Sequence, residues 1–252
     1  MTARGQLMGE PMGELMRDAS VVARQYAATD ALMTRASVWG PGPEGRNPVE
    51  VLRQSVVALA PTCVVEIGCG TGGFAEQVCR DLPTCDYLAT DLSPAMVDAA
   101  RARGVTAMCA GADALPVPDG VADVVVAAWM LYHVPDLDAA LREVGRVLAP
   151  GGTFFAVTNG DAHLATLLAD AGVGPTLTQF SSENGAATLR RHFVHVSTDD
   201  IPTEATFPDH AAAAAYLQSI DPALGATLGP FGGSRRDRGF TTIFTARQPI
   251  AH

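Results

Sequence analysis

The run Val64-Val65-Glu66-Ile67-Gly68-Cys69-Gly70-Thr71-Gly72-Gly73 constrains the fold of this chain more than any other segment. A short apolar stretch, Cys63–Ile67, breaks directly into glycines. Apolar runs of this length without alternation suit a strand buried on both faces, as in a parallel sheet. Glycines just after it permit a tight strand-to-helix turn and let a ligand approach the backbone with no Cβ in the way.

The same strand-then-helix rhythm continues. Gly72–Leu82 reads as a helix, Asp86–Thr90 as a second strand, and Ser93-Pro94 as the start of a helix that stops at Gly104. Val105–Cys109 and Ala122–Ala128 read as strands three and four. Leu137, Leu141, Val144 and Leu148 follow at 4-3-4 spacing, one apolar stripe on a helix opened by Asp136 or Asp138. Pro150-Gly151-Gly152 ends that helix, and Thr153–Thr158 reads as strand five. Phe193–Ser197 and Phe240–Ala246 add two more strands. The expected fold is α/β: a Rossmann-like, seven-stranded, mainly parallel sheet with an antiparallel last strand, helices on both faces and a small helical cap. Residues 1–60 are expected to form an N-terminal helical lid, and 61–252 the ligand-binding domain with a cap insertion at about 200–238.

Composition removes several function classes. The formal charge of −10 is the wrong sign for affinity built on phosphate backbones, so no nucleic-acid partner is expected. All 17 basic residues are arginine, which rules out a lysine Schiff base and a Walker lysine. Five cysteines without a C-x-x-C pair make a zinc site or redox motif a weak reading, and no metal is expected. The first twenty residues lack an apolar signal core, and no apolar run is long enough to span a bilayer. A cytoplasmic protein without a membrane partner, monomeric or homodimeric, is expected.

Gly68, Gly70 and Gly73 also satisfy G-x-G-x-x-G, with Asp91 at the distance of a ribose-binding acid, so a dinucleotide remains open at this point. Glu66, two residues before the first glycine, tilts the balance. A carboxylate there repels a pyrophosphate and suits a cationic, amino-acid-like ligand. Asp91 follows strand two, Asp113-Ala114 follows strand three, and Leu148–Gly152 precedes strand five.

With VVEIGCGTG at 64–72, TDLSPAMVDAAR at 90–101, GADALPVPDGVADVVVA at 111–127, MLYHVPDLDAALREVGRVLAPGG at 130–152 and TNG at 158–160, the chain resembles the class I S-adenosylmethionine-dependent methyltransferases. It is most similar to the type 11, ubiquinone/menaquinone-biosynthesis-like branch. The resemblance covers about 63–200. It implies S-adenosylmethionine as cofactor, S-adenosylhomocysteine as product, and in-line methyl transfer to O, N or C of a small molecule; the Arg-only, Ala-rich composition and variable cap add the expectation of a bacterial biosynthetic enzyme of secondary metabolism. It implies Glu66, Gly68, Cys69, Gly70 and Gly72 at the cofactor's ribose and methionine portion, and Asp91 on the ribose hydroxyls. Leu92 and Met96 would pack on the adenine, with Ala112, Asp113 and the N–H of Ala114 at its edge. Ala128, Trp129 and His133 would complete the cofactor contacts; many relatives carry Asn and His where this chain has Ala128 and Trp129.

His133 is the candidate general base, against the alternative of a ring packed over the cofactor. Tyr26, Trp39, Trp129, Tyr132 and Asn159 are candidates for the acceptor pocket. His163 reads as solvent-facing helix or as a group at the mouth of the site, and Glu183-Asn184 as turn caps or acceptor-orienting groups. Two further readings stay open: the same fold with a non-methylating role (cyclisation, decarboxylation or a regulatory subunit), and a nicotinamide-dependent oxidoreductase.

Overall fold

The computed structural model describes residues 29–250. Its strands are β1 (Trp39–Gly40), β2 (Cys63–Ile67), β3 (Asp86–Asp91), β4 (Ala107–Cys109), β5 (Ala122–Ala128), β6 (Leu148–Asn159), β7 (Phe193–Phe207) and β8 (Arg235–Pro249). The helices are α1 (Thr29–Ser37), α2 (Pro48–Ala58), α3 (Gly73–Asp81), α4 (Pro94–Ala102), α5 (Leu137–Val147), α6 (Ala165–Asp170), α7 (Gly185–Leu189) and α8 (His210–Ile220). All eight strands join one sheet in the order β1-β7-β8-β6-β5-β2-β3-β4. β4, β3, β2, β5 and β6 pair in parallel, while β8 runs antiparallel to both β6 and β7.

The apolar strands are covered on both sides, as their lack of alternation requires. Val65, Ile67, Val125 and Ala127 pack with Leu137, Leu141 and Val144 of α5 on one face. Val64, Val124 and Val126 pack with α2, α3 and α4 on the other. Asp136 opens α5, its carboxylate accepting the Ala139 N–H at 2.8 Å. Each fully buried aliphatic side chain contributes about 1.5–3 kcal/mol, so the α5 stripe is a principal clamp on the sheet.

Four expectations change. The sheet has eight strands, because Trp39–Gly40 pairs antiparallel with Ala205 and Glu204 of β7. A two-residue strand inside a Gly/Pro-rich stretch carries no alternation to read. The cap insertion is also shorter than 200–238: β7 continues to Phe207 and β8 begins at Arg235. Ile201, Thr203, Ala205 and Phe207 alternate inward there, and Pro202 is tolerated because β7 lies next to the sheet edge. β6 starts at Leu148, ahead of Pro150-Gly151-Gly152, with a register irregularity between Ala122 and Val124 absorbing those residues. Finally, α2 is no part of a lid. Leu52 and Val56 are buried in the sheet's own core, which leaves α1, packed on α8, as the described portion of the expected 1–60 lid.

The long β7–β8 ribbon matters most for function. Asn159 of β6 faces Thr241 of β8, so the ribbon from Thr241 to Arg235 overhangs the carboxyl edge of the parallel strands. Leu164, Leu167, Phe207, Ala213, Tyr216 and Leu217 build a separate small core above that edge.

Candidate active site

The glycine turn after β2 is held by backbone geometry that only glycine adopts without strain. Gly68, Gly70 and Gly72 have φ of +70°, +53° and +76°. A Cβ on Gly68 would stand 2.8 Å from Met130 Cβ, and one on Gly72 2.7 Å from Ala100 Cβ. Gly73 has neither a left-handed φ nor a neighbour within 4 Å of a built Cβ. The third glycine of the dinucleotide pattern therefore has no packing duty here, which weakens that reading.

Around the turn, Cys69 N–H donates to Thr90 O at 2.9 Å and Gly70 N–H to Asp91 Oδ2 at 2.9 Å. Asp91 Oδ1 accepts the Ser93 N–H, also at 2.9 Å. One carboxylate thus ties the glycine turn to the start of α4. Burial raises its pKa, against the lowering effect of these backbone donors. Beside it Leu92 is 71% exposed, an apolar platform at the mouth of the groove. Met96 is fully covered and presents no surface to that groove.

Glu66 is 3% exposed and accepts the Tyr87 hydroxyl at 2.9 Å. Burial pushes its pKa up to about 7, with Tyr87 acting in the opposite direction. It supports the turn from below and has almost no open face toward a ligand. Cys69 and Ala112 are each 8% exposed, and burial drives the Cys69 thiol pKa upward, keeping it protonated. Asp113 and Ala114 are exposed. The Ala114 N–H, expected to reach an adenine, donates to Gly111 O at 3.3 Å.

Ala128 is half-buried at the end of β5. Trp129 follows with φ +53°, rare for a bulky residue and a local strain. Its N–H donates to Val157 O at 2.8 Å, and its indole N–H to Asn159 Oδ1 at 3.0 Å.

A cavity of about 150 Å³ opens next to this point, its lining including Tyr132, His133, Thr158, Asn159, His163 and Tyr216. Tyr132, His133 and Asn159 therefore meet in one place, with the Tyr132 and His133 ring centroids 4.4 Å apart. Trp39 lies behind the wall, its ring tilted 30° against His163 at 4.5 Å, and Trp129 reaches Asn159 from the side. Tyr26 lies outside the described residues. Gln179 Nε2 donates to Val134 O at 2.5 Å and approaches the carbonyls of Leu131 and Tyr132, positioning the segment that carries His133. Asn184 and Glu183 serve local turns, receiving the N–H groups of Ser181 and Asp161.

His163 is no solvent-facing residue. Burial lowers its pKa to about 4, and its Nδ1 lies 3.2 Å from the Phe240 nitrogen and 3.3 Å from the Phe240 oxygen. Arg35, Thr176, Leu168 and Ile220 are further lining residues that sequence reasoning missed. They come from α1, α6, the loop near 176 and α8, and no local motif joins them.

Residues 65–156 match a methyltransferase domain family, type 11. The malonyl-acyl-carrier-protein O-methyltransferase of Herminiimonas arsenicoxydans is 40% identical over 115 residues, 44% of each chain. The 23S rRNA (guanine(748)-N(1))-methyltransferase of Streptomyces fradiae is 34% identical over 146 residues, 56% of this chain and 50% of that one. The chain thus spans about half the length of these curated relatives. A crystal structure of the cyclase SpnF shares the fold, with a TM-score of 0.58 at 20% identity over 91% of this chain and 96% of that one.

Proposed function

Because residues 65–156 form a class I S-adenosylmethionine-dependent methyltransferase domain, type 11, we propose that this protein transfers a methyl group from S-adenosylmethionine to a small molecule held in the adjoining cavity. The observation that carries this reading is the Asp91 carboxylate, bonded to the left-handed glycine turn and flanked by exposed Leu92. A carboxylate beside an apolar platform and an open glycine backbone fits a ribose hydroxyl pair with an adenine next to it.

Gly68, Gly70, Asp91, Leu92, Asp113 and Ala128 would hold the cofactor, with Glu66 and Tyr87 bracing the turn. The cofactor would supply a sulfonium-activated methyl. The chain's own work is orientation and exclusion of water. Gln179 fixes the 131–134 segment, so that His133 and Tyr132 face the cavity with a defined geometry. His133, in the cavity lining, would take a proton from an acceptor hydroxyl or amine. His163, kept neutral by burial, is unsuited to taking up a second proton at ordinary pH. The small cavity, about 150 Å³, and the net charge of −10 favour a small acceptor over a nucleic acid, although one relative is named for rRNA. Among the described residues, no helix is long and apolar enough to cross a membrane.

Isothermal titration tests the reading. S-adenosylhomocysteine should bind, and metabolite extracts supplied with S-adenosylmethionine should yield a product 14 daltons heavier than its acceptor. Lack of binding at millimolar concentration rejects it. Binding with turnover but no mass gain supports a non-methylating role instead.

A further inference from the structure

Three buried oxygens gather beside the acceptor cavity without a hydrogen bond to explain them. Asp161 Oδ1, Ser181 Oγ and Ser182 Oγ are shielded from solvent, and none has a hydrogen-bond partner among the described residues. Buried polar atoms are nearly always paired, so three such oxygens in one place point to a ligand that pairs them.

Backbone bonds bring them together. The Ser182 N–H donates to Asn159 O at 3.1 Å, and the Asp161 N–H donates to Glu183 Oε2 at 2.9 Å. The turn after β6 and the turn before α7 are thereby held side by side. Glu183 adds a second carboxylate. Its Oε1 and the Ser182 Oγ converge on Gly160, lying 3.0 and 3.5 Å from where a Cβ on that residue would stand, so any other residue at 160 would crowd this cradle.

Electrostatics make the arrangement costly as it stands. Burial raises the pKa of the Asp161 carboxyl, the Ser181 hydroxyl lowers it, and the neighbouring Glu183 charge raises it. Ser181 is 1% exposed and faces Asp161 from the inner side, without a bond of normal geometry to it. Neither carboxylate forms an ion pair with a described residue. Two carboxylates this close repel each other, and a positive charge between them reverses that cost.

The donor atoms choose the ion. All are oxygens, from two carboxylates and two hydroxyls, which suits a hard cation. Among the described residues, no three His, Cys, Asp or Glu side chains gather to hold a metal, which argues against a zinc-type centre. Calcium and magnesium need fewer charged ligands, because water completes their shell, and exposed Glu183 leaves one side open to it.

We propose that Asp161, Glu183, Ser181 and Ser182 bind one hard divalent cation, calcium or magnesium, which fastens the turn after β6 to the turn before α7. Gly160, His163 and Thr178, on or next to these turns, line the cavity, so the ion braces its wall. Such binding does not depend on methyl transfer. Ligands from two separate turns form no short motif, which is why the sequence reads as metal-free.

Isothermal titration of the full, chelator-treated chain with calcium chloride and, separately, magnesium chloride tests this, at ionic strength fixed with choline chloride. One ion should bind with a dissociation constant of about 10⁻⁴ to 10⁻³ M, the range of sites with few charged ligands. Asp161→Asn should weaken binding by about tenfold or more, since affinity follows the ligand charge count. If that variant melts early, Glu183→Gln, which keeps an oxygen for the Asp161 N–H, should do the same. Asp98→Asn, which removes an exposed carboxylate on α4, should leave the affinity unchanged. Absence of binding by both ions at millimolar concentration means that a water or a shared proton fills the cluster, and overturns the proposal. Affinity unchanged in the folded Asp161 and Glu183 variants, or lost equally in Asp98→Asn, also overturns it, as diffuse attraction to an acidic surface.

Discussion

The two halves of the groove are built on different principles. On the β2–β3 side, the glycine turn, Asp91 and Leu92 lie within 25 residues of chain and are bonded mainly through backbone N–H groups. On the β6–β8 side, the cavity is assembled from Arg35, the 132–133 segment, residues 158–168, the loop near 176 and helix α8, joined by side-chain bonds and a small core of its own. The first half is a local device that any chain with the right short sequence can form. The second exists only once a long ribbon and a cap have closed over the sheet edge, so it can vary without disturbing the first.

The largest effect expected from this contrast is Gly72→Val. With φ at +76° and Ala100 Cβ 2.7 Å from the new Cβ, it should cost at least about 3 kcal/mol. Thermal unfolding would measure it. A melting temperature close to the parent's would break the claim that the turn is rigidly specified.

Protons should separate the halves by sign. Glu66 has its folded pKa raised from 4.5 to about 7, so the native state binds the extra proton between those values. Its stabilisation is full below pH 4.5 and is lost as pH rises through 7. His163 has its folded pKa lowered from 6.5 to about 4, so its contribution is present above pH 6.5 and is lost as pH falls through 4. Each amounts to at most about 3 kcal/mol. Denaturant titrations from pH 4 to 8 should show Glu66→Gln and His163→Gln removing slopes of opposite sign. Slopes unchanged by either substitution would contradict the burial of that group.

Asp91→Asn comes next. An amide has one oxygen to serve the two N–H groups that the carboxylate now bridges, so the turn loosens and the charge is lost. S-adenosylhomocysteine affinity should fall roughly 10- to 100-fold, measured by calorimetry. An unchanged affinity would place the cofactor elsewhere. The smallest effect should come from Trp129→Phe, which removes one half-buried side-chain hydrogen bond at a cost of about 1 kcal/mol. Cofactor affinity should hold while acceptor turnover drops, because the Asn159 amide loses its anchor. Equal loss of both would erase the distinction between the halves.

Legibility follows the same division. The strand–glycine–helix unit, the α5 stripe and the Asp136 cap could all be read, since each depends on residues a few positions apart. Glu66 was legible as a carboxylate before the glycines, but its seal beneath Tyr87 was not, because that contact crosses to β3. The family resemblance put Met96 against an adenine, yet packing covers it. His163 looked solvent-facing because the Phe240 backbone that receives it is 77 residues away. Pro202 hid the true length of β7, since a proline inside a strand usually marks its end.

From the amino-acid order alone came a parallel α/β sheet with a glycine turn made for close ligand approach and an acid to grip it, because periodicity, glycine freedom and short-range capping are local physics. Only the folded chain decided that Trp129 and Thr241 share the Asn159 oxygen, that His163 stays neutral, and that Arg35 joins them in the cavity lining. Those are outcomes of burial and of contacts between distant segments, and no short stretch of sequence encodes them.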